Sequence, residues 1–264
     1  MSNQLALITG ASSGIGEAFA RQLAERGYDL CLTGRRSENL ESIAVELRGK
    51  HKINVEVVVA DLAAEDGINM VISWIRENQS ITMLVNNAGF GVHGLFANKP
   101  PEKYVEMITV HVTATMRLTS AALPAMIKAK QGAVINVSSV AAYMPLAGNA
   151  VYSGTKSFLN AFTVALAFEL KNTGVKVQLL TPGFTYSDFH KRPDYAKLNT
   201  YSSIPKFMWM KAEEVVRISL HALERNKRHC IPGMLNKLIV FAGKSGLAAL
   251  SSKIMARRYK TASK

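Results

Sequence analysis

The chain has 264 residues, of which 48% are apolar and 19% are charged, a balance that favours a folded chain with a sizeable core and excludes a disordered one. Its formal net charge of +13 is unevenly distributed. Residues 1–190 hold 16 Lys and Arg against 15 Asp and Glu, whereas residues 191–264 hold 16 against 4. The basic C-terminal quarter predicts either an anionic partner or a solvated surface that aids solubility.

The N-terminal sequence MSNQLALITG has no basic region, long apolar stretch or cleavage site of a secretory signal. No stretch reaches the roughly 18 uncharged apolar residues that a membrane span needs. The two cysteines, Cys31 and Cys230, lack the spacing of metal ligands. We therefore expect a cytoplasmic protein without a metal site.

Short apolar runs alternate with helical patterns along the chain. The pattern predicts strands over 4–9, 28–34, 53–60, 81–85, 132–139 and 175–180, with a short strand near 229–232. Between and after them it predicts helices from about 14 to 27 and over 37–50, 65–79, 101–130, 149–173 and 212–226. Pro124 is expected to kink or break the helix over 101–130.

This alternation predicts an α/β fold: a doubly wound, Rossmann-type parallel sheet with helices on both faces. We expect residues 1–264 to form a single dinucleotide-binding catalytic domain. Its C-terminal extension would comprise a substrate lid over 184–210 and a basic amphipathic segment over 234–264.

Three glycines lie between the first strand and the first helix. Gly10 permits a tight turn, Gly14 lets the backbone approach a pyrophosphate, and Gly16 allows close contact between helix and strand. The N-terminus of the following helix offers free N–H groups to an anion. The motif therefore predicts a dinucleotide-binding site.

The end of the second strand predicts which dinucleotide binds. A carboxylate there would select NAD, whereas an arginine would bind the 2′-phosphate of NADP. The sequence has Gly34, Arg35 and Arg36, without a carboxylate. Guanidinium groups fit phosphate well, so we predict NADP(H), with Arg35 as the ligand; the alternative is a solvated pair of loop arginines.

Five motifs follow in order: TGASSGIG (9–16), NNAG (86–89), VSS (137–139), YSGTK (152–156) and PG (182–183). In order and spacing they resemble the short-chain dehydrogenase/reductase family. The resemblance is close over residues 5–183 and looser to 233. It implies an oxidoreductase that transfers a hydride between a nicotinamide cofactor and a carbonyl or alcohol.

The resemblance implies three catalytic residues. Ser139 would hydrogen-bond the substrate oxygen, Tyr152 would exchange a proton with it, and Lys156 would hold the nicotinamide ribose. Tyr152 and Lys156 also lie four residues apart on one helical face, where an ammonium group is expected to lower the pKa of a phenol from about 10. Ser138 is the alternative to Ser139, although strand alternation points it the other way.

The resemblance also implies contacts along the whole cofactor. Asp61 and Leu62 match the adenine pair, and Asn87 and Gly89 match the turn beside the adenosine ribose. Structural roles are the alternatives: the NNAG motif stabilises the sheet, and Asp61 could cap a turn. The full predicted cofactor-binding set is Gly10, Ser12, Ser13, Gly14, Ile15, Gly16, Arg35, Asp61, Leu62, Asn87, Gly89, Tyr152, Lys156, Pro182, Gly183 and Thr185.

One position departs from the family pattern. Where relatives usually carry an Asn that helps to hold a water near the lysine, this chain has His111. Three interpretations stay open: His111 replaces Asn as a catalytic proton relay, it is a core residue, or the relay is broken and activity is low. We favour the relay.

The lid region is rich in large apolar groups, which favours a lipophilic ketone or secondary alcohol as substrate; ordinary packing or a subunit contact is equally open. Its aromatic residues are Phe184, Tyr186, Phe189, Tyr195, Tyr201, Phe207 and Trp209.

The basic segment over 234–264 predicts packing beside the cleft or on another subunit or, second, peripheral contact with an anionic membrane. No nucleic-acid motif accompanies its charge, so nucleic acid is not expected. The resemblance implies a homodimer or homotetramer formed through the two long helices. A nucleotide-binding sensor with little turnover, and a membrane-bound protein acting through its tail, are the alternative functions.

Overall fold

The computed structural model describes residues 4–188 and 204–245, and its central feature is a parallel sheet between two layers of helices. The strands are β1 Leu5–Thr9, β2 Asp29–Gly34, β3 Val55–Val59, β4 Ile81–Asn86, β5 Gly132–Val137, β6 Val175–Leu180, β7 Thr185–Tyr186, β8 Met210–Lys211 and β9 His229–Cys230. The helices are α1 Gly14–Ala24, α2 Ser37–His51, α3 Glu65–Glu77, α4 Pro101–Ile108, α5 Thr115–Lys128, α6 Ala150–Glu169, α7 Ala212–Glu224 and α8 Met234–Lys244.

Seven strands form the main sheet in the order β3-β2-β1-β4-β5-β6-β9, and every neighbouring pair is parallel. This is the predicted doubly wound α/β fold. The strand order reverses between β1 and β4, which leaves a crevice at their carboxyl ends. Ligands of such sheets bind in that crevice, so the topology places the site where the sequence motifs also point.

Two apolar cores hold the helices on the sheet. On one face, α1, α2 and α7 contribute buried side chains such as Phe19, Leu40 and Val215. On the other, α3, α5 and α6 contribute Ile75, Leu118, Leu166 and their neighbours. The strands between them are apolar on both sides, as parallel strands covered by helices must be.

The predicted helix over 101–130 is continuous but irregular. A π-helical turn, Thr109–Ala114, joins α4 to α5. Pro124 does not break the helix, which continues to Lys128. Pro124 and Ser120, whose carbonyl loses its partner, are both exposed, so water can satisfy that carbonyl. The irregularity lies instead at His111, inside the π turn.

A buried polar network joins the centre of the sheet to its helices. The Asn86 side-chain amide donates to Asn136 Oδ1 at 2.8 Å and to Thr119 Oγ1 at 3.0 Å. Asn136 in turn donates to Thr163 Oγ1 at 3.0 Å. Because these groups are removed from water, their mutual hydrogen bonds fix how β4 and β5 sit against α5 and α6.

The two ends of the predicted lid lie side by side. Strand β7 pairs with β8, so that Thr185 lies opposite Met210. Residues 189–203 and 246–264 are outside the described residues; they contain Phe189, Tyr195 and Tyr201 of the predicted lid and most of the basic segment. Among the residues described, no helix combines the length and the hydropathy that crossing a bilayer requires.

Two helical glycines form a matched pair for a stability test. A Cβ on Gly67 in α3 would collide with backbone atoms of Asp61, whereas a Cβ on Gly49 in α2 would meet nothing. We expect Gly67→Ala to lower the free energy of unfolding by about 1–3 kcal/mol. Gly49→Ala should raise it by up to about 1 kcal/mol, because alanine favours the helix. Urea denaturation of both variants checks this, and equal effects would contradict the packing at Gly67.

Candidate active site

The glycine-rich turn is closed against the neighbouring strand loop. Gly10 has φ +66°, and a Cβ there would lie 2.9 Å from Ala88 Cα. A Cβ on Gly16 would collide with the Gly10 carbonyl and the Asn87 amide. Side chains are therefore excluded, and the backbone at the start of α1 remains accessible to an anionic group. Ile15, also in the predicted set, packs against the core.

Arg36 contacts this glycine-rich turn directly, although the predicted cofactor-binding set omitted it. Arg36 Nε donates to Ser12 Oγ at 3.1 Å and Nη2 donates to Ser13 Oγ at 2.6 Å. Its Nη1 lies 3.0 Å from Asp188 Oδ2. Arg35 instead faces Asp61, with 3.7 Å between Nη1 and Oδ2. The two arginines thus bracket the end of β2.

The predicted adenine pair has structural contacts of its own. Asp61 Oδ1 accepts a hydrogen bond from the Ala63 N–H at 3.0 Å, which is the turn-capping role left open by the sequence. The Leu62 side chain is 5% exposed and belongs to the core under α3. A ligand would therefore meet the Leu62 backbone rather than its side chain.

Asn87 ties the ends of β1 and β4 together. Its side-chain amide donates to the Thr9 carbonyl at 2.9 Å and to the Gly10 carbonyl at 3.2 Å. Its backbone N–H donates to Thr9 Oγ1 at 2.9 Å. These bonds hold the floor of the crevice and support the glycine-rich turn from below.

The loop after β6 closes the other side of the crevice. The Pro182 carbonyl accepts from the Val140 N–H at 3.0 Å, and Thr185 Oγ1 donates to the Gly183 carbonyl at 3.1 Å. A Cβ on Gly14 would lie 2.7 Å from Ser187 Cβ. Ser187 thus lies beside the glycine-rich turn. The predicted cofactor-binding set omitted Ser187, although it lies shortly after the PG motif in the sequence.

Ser139, Tyr152 and Lys156 come together where β5 meets α6. Ser139 Oγ accepts from the Ala141 N–H at 3.2 Å and is hydrogen-bonded to the Tyr152 hydroxyl. Lys156 Nζ lies 5.8 Å from the centre of the Tyr152 ring. The Lys156 side chain is only 5% exposed, and Nζ donates to the Val137 carbonyl at 2.9 Å.

Burial governs the protonation of this group. It raises the pKa of Tyr152 to about 12, and the hydrogen bond with Ser139 opposes that rise. Burial also lowers the pKa of Lys156 to about 7. In this ligand-free arrangement the pKa of the phenol is raised rather than lowered, and removal from water is the largest cause. Tyr152 stays a phenol across the neutral range and is suited to donate a proton.

Ser138 has a different position from Ser139, as strand alternation predicts. Its Oγ lies 3.0 Å from the Lys156 carbonyl and 2.6 Å from Asn160 Oδ1. It thus docks α6 onto the end of β5.

His111 bridges the NNAG loop and the first turns of α6. The Phe90 N–H donates to His111 Nε2 at 3.0 Å, so Nε2 carries no proton. His111 Nδ1 lies 2.9 Å from Thr155 Oγ1, which itself donates to the Tyr152 carbonyl at 2.8 Å. This pattern requires a neutral imidazole with its proton on Nδ1. The ring is 1% exposed.

The same bridge explains a predicted glycine. A Cβ on Gly89 would lie 2.8 Å from His111 Nε2. Gly89 thus leaves room for the imidazole, and its role in this structure is to admit His111 at the edge of the crevice.

Comparisons with known proteins show the family of the chain. The model of the family described as short chain dehydrogenase matches residues 4–196, and the chain belongs to that family. A serine 3-dehydrogenase of Agrobacterium fabrum is 38% identical over 185 residues, covering 69% of this chain and 72% of that protein.

Solved structures cover nearly the whole chain. A short-chain dehydrogenase of Sphingobium yanoikuyae in complex with NADPH is 31% identical with a TM-score of 0.82, covering 96% of this chain and 95% of that one. An alcohol dehydrogenase of Comamonas testosteroni specific for bulky-bulky ketones is 28% identical with a TM-score of 0.80, covering 94% and 95%. The chain is an oxidoreductase of this family.

The bridge made by His111 can be tested by stability. His111→Ala would leave the half-buried Phe90 N–H and the buried Thr155 hydroxyl without this partner and open a cavity, so we expect the free energy of unfolding to fall by about 3 kcal/mol. His111→Asn should cost less, because an amide offers both an acceptor and a donor. The exposed His221→Ala is the control and should change stability by no more than about 0.5 kcal/mol in urea denaturation.

A proton relay would give another pattern. In that case His111→Asn would shift the pH profile of the rate while its stability stayed near that of the wild type.

Proposed function

We propose that the protein transfers a hydride between NADP(H) and a lipophilic ketone or secondary alcohol. The observation that carries the proposal is the convergence of Ser139, Tyr152 and Lys156 at the carboxyl end of β5, beside a glycine-rich crevice. The bound nicotinamide would supply or accept the hydride. The protein's own residues would bind the cofactor, orient the substrate and protonate the substrate oxygen.

Tyr152 is the proton donor in this proposal. Its raised pKa keeps the phenol protonated, so it can deliver a proton to a carbonyl oxygen that gains negative charge. Ser139 would donate a hydrogen bond to the same oxygen and stabilise that charge.

Lys156 has a complementary role. With a pKa of about 7, its ammonium is only marginally stable in the free protein. An anionic dinucleotide arriving at the crevice would stabilise the charged form and hence raise that pKa. We propose that Lys156 becomes fully cationic on binding and then assists Tyr152 as the sequence led us to expect.

The preference for NADP rests on the end of β2. Gly34 ends the strand where a carboxylate would select NAD, and Arg35 and Arg36 follow it. Arg36 is held against Ser12 and Ser13. The NADPH complex of the Sphingobium relative supports the same choice.

The lipophilic substrate rests on the described part of the lid. Phe184 and Tyr186 lie with their ring centres 5.4 Å and 5.0 Å from that of Trp209. These rings pack on one another, so ordinary packing, the alternative given for the lid region, accounts for part of its aromatic content. Their cluster borders the loop that closes the crevice. The ketone specificity of the Comamonas relative supports a bulky apolar substrate.

We assign His111 a positioning role rather than the relay first favoured. Both ring nitrogens have partners that fix the backbone around Phe90 and the turn bearing Tyr152. The side chain positions Tyr152 through Thr155, whose hydroxyl donates to the Tyr152 carbonyl. The centres of the imidazole and the Tyr152 ring are 5.8 Å apart, in an edge-to-face arrangement.

Assembly through the long helices has a physical basis in the exposed apolar residues of α5 and α6. Met116, Val164 and Phe168 are 44%, 47% and 64% exposed. Patches of this kind mark contact surfaces, so we propose a homodimer or homotetramer formed there. Cys31 and Cys230 are buried and unpaired, which fits a reducing, cytoplasmic location.

The arginines predict how nucleotide affinity responds to substitution. Arg36→Ala should weaken NADPH binding about tenfold or more and NADH binding much less, because only NADPH carries a phosphate to pair with it. Arg35→Ala should have a smaller effect, since Arg35 is 56% exposed and faces Asp61. Fluorescence titration measures both, with the exposed Arg76→Ala as control. Equal losses for the two nucleotides would contradict the phosphate contact.

Lys156 predicts proton uptake on cofactor binding. At a pH about one unit above its pKa of about 7, roughly nine-tenths of the free protein carries a neutral Lys156, and binding should load that proton. Calorimetry of NADPH binding in buffers of different ionisation enthalpy measures the uptake. It should vanish in Lys156→Met and persist in the exposed Lys171→Met; uptake unchanged in Lys156→Met would refute the assignment.

A further inference from the structure

Helix α8 presents its apolar side chains to solvent. Met234, Leu238 and Phe241 are 71%, 58% and 72% exposed. A helix on a protein surface normally buries such residues and exposes polar ones. We call these three residues the α8 stripe. A contiguous exposed apolar stripe of this kind marks an interaction surface.

The opposite side of α8 is fixed to the protein. Asn236 and Val240 are 5% and 3% exposed, and the Asn236 amide donates to the Pro232 carbonyl at 2.7 Å. A Cβ on Gly243 would collide with the Tyr143 carbonyl. The helix is therefore held by close contacts on its inner side, and the stripe faces outwards as a consequence.

Cations flank the stripe. Lys237 and Lys244 are exposed on the same side of α8, and together with the stripe they span about 120° of the helix. Lys244 Nζ also lies 5.4 Å from the centre of the Tyr143 ring. No acidic residue follows Glu224 anywhere in the sequence. The face is thus apolar and cationic, with no carboxylate of its own.

We propose that the α8 stripe docks on an anionic lipid surface. Apolar side chains would enter the interface between headgroups and acyl chains while the lysines contact the headgroups. A symmetric contact with a second copy would bring Lys237 and Lys244 towards their own equivalents without a carboxylate from this helix. Residues 246–264 would not neutralise the face either, because their charged residues are Lys253, Arg257, Arg258, Lys260 and Lys264.

The docking face adjoins the site. A Cβ on Gly183 would collide with the Asn236 side chain, so α8 lies directly behind the loop that closes the crevice. Docking would therefore bring the crevice near the bilayer, where lipophilic molecules are concentrated. That consequence rests on the proposed function, whereas lipid binding itself does not depend on any activity.

Vesicle co-sedimentation tests the proposal with the full chain. Wild type should bind phosphatidylcholine vesicles that contain phosphatidylglycerol and bind pure phosphatidylcholine far less. Leu238→Ser with Phe241→Ser should lower the partition about tenfold or more at unchanged charge. Lys237→Gln should lower it about fivefold, as expected for one headgroup charge.

A matched control separates the stripe from general surface effects. Val45→Ser with Met70→Ser replaces helical residues that are 63% and 51% exposed elsewhere, and it should leave vesicle binding unchanged. Circular dichroism checks that each variant folds. Undiminished binding by the stripe variant would overturn the proposal, since attraction by net charge alone would then suffice. So would a stripe variant that changes the sedimenting mass in solution but not vesicle binding, which would assign the stripe to a second copy.

Discussion

The burial of Lys156 is the constraint on which the site depends. A lysine is rarely removed from water without a partner, and here Nζ is anchored on the Val137 carbonyl at the end of β5. The Lys156 carbonyl is in turn met by Ser138. These two contacts fix α6 to β5 through both the side chain and the backbone of Lys156. They thereby also position Tyr152, which lies one turn earlier in α6. The same burial lowers the pKa of the lysine and so makes its charge responsive to an arriving anion.

His111 is linked to Tyr152 through Thr155, and it lies inside the π-helical turn Thr109–Ala114. The π turn widens the helix at His111, and the imidazole reaches the Phe90 N–H and Thr155. A side chain at Gly89 would occupy the same space. The imidazole of His111 therefore requires a glycine at position 89. A shorter residue at 111 would have to reach the same two partners from further away.

The sequence was sufficient to predict the fold class and to assign Ser139 and Tyr152 to one site. Ordered motifs at strand ends leave few possible topologies. The sequence could not distinguish Arg36 from Arg35, since both follow Gly34 and only side-chain direction separates them: Arg36 contacts Ser13, whereas Arg35 faces Asp61. Nor could it give the sign of the pKa shift of Tyr152. Residue spacing reports that a cation is near, whereas burial, which decides the shift, depends on chain segments distant in sequence. The π turn was missed for a related reason: Pro124 was the visible irregularity, yet it lies on the solvent side.

The two described ends of the lid region contact different parts of the protein, the glycine-rich turn and α8. At its beginning, Asp188 pairs with Arg36 beside the glycine-rich turn. At its end, Met210 lies with its sulfur 3.8 Å from the Asn236 amide of α8. A phosphate that drew on Arg36 would compete with Asp188 for the same guanidinium, while any shift of α8 would act on Met210. Because β7 and β8 pair, these two ends lie side by side, and the aromatic cluster around Trp209 lies between the contact at Arg36 and the contact at Asn236 along the chain.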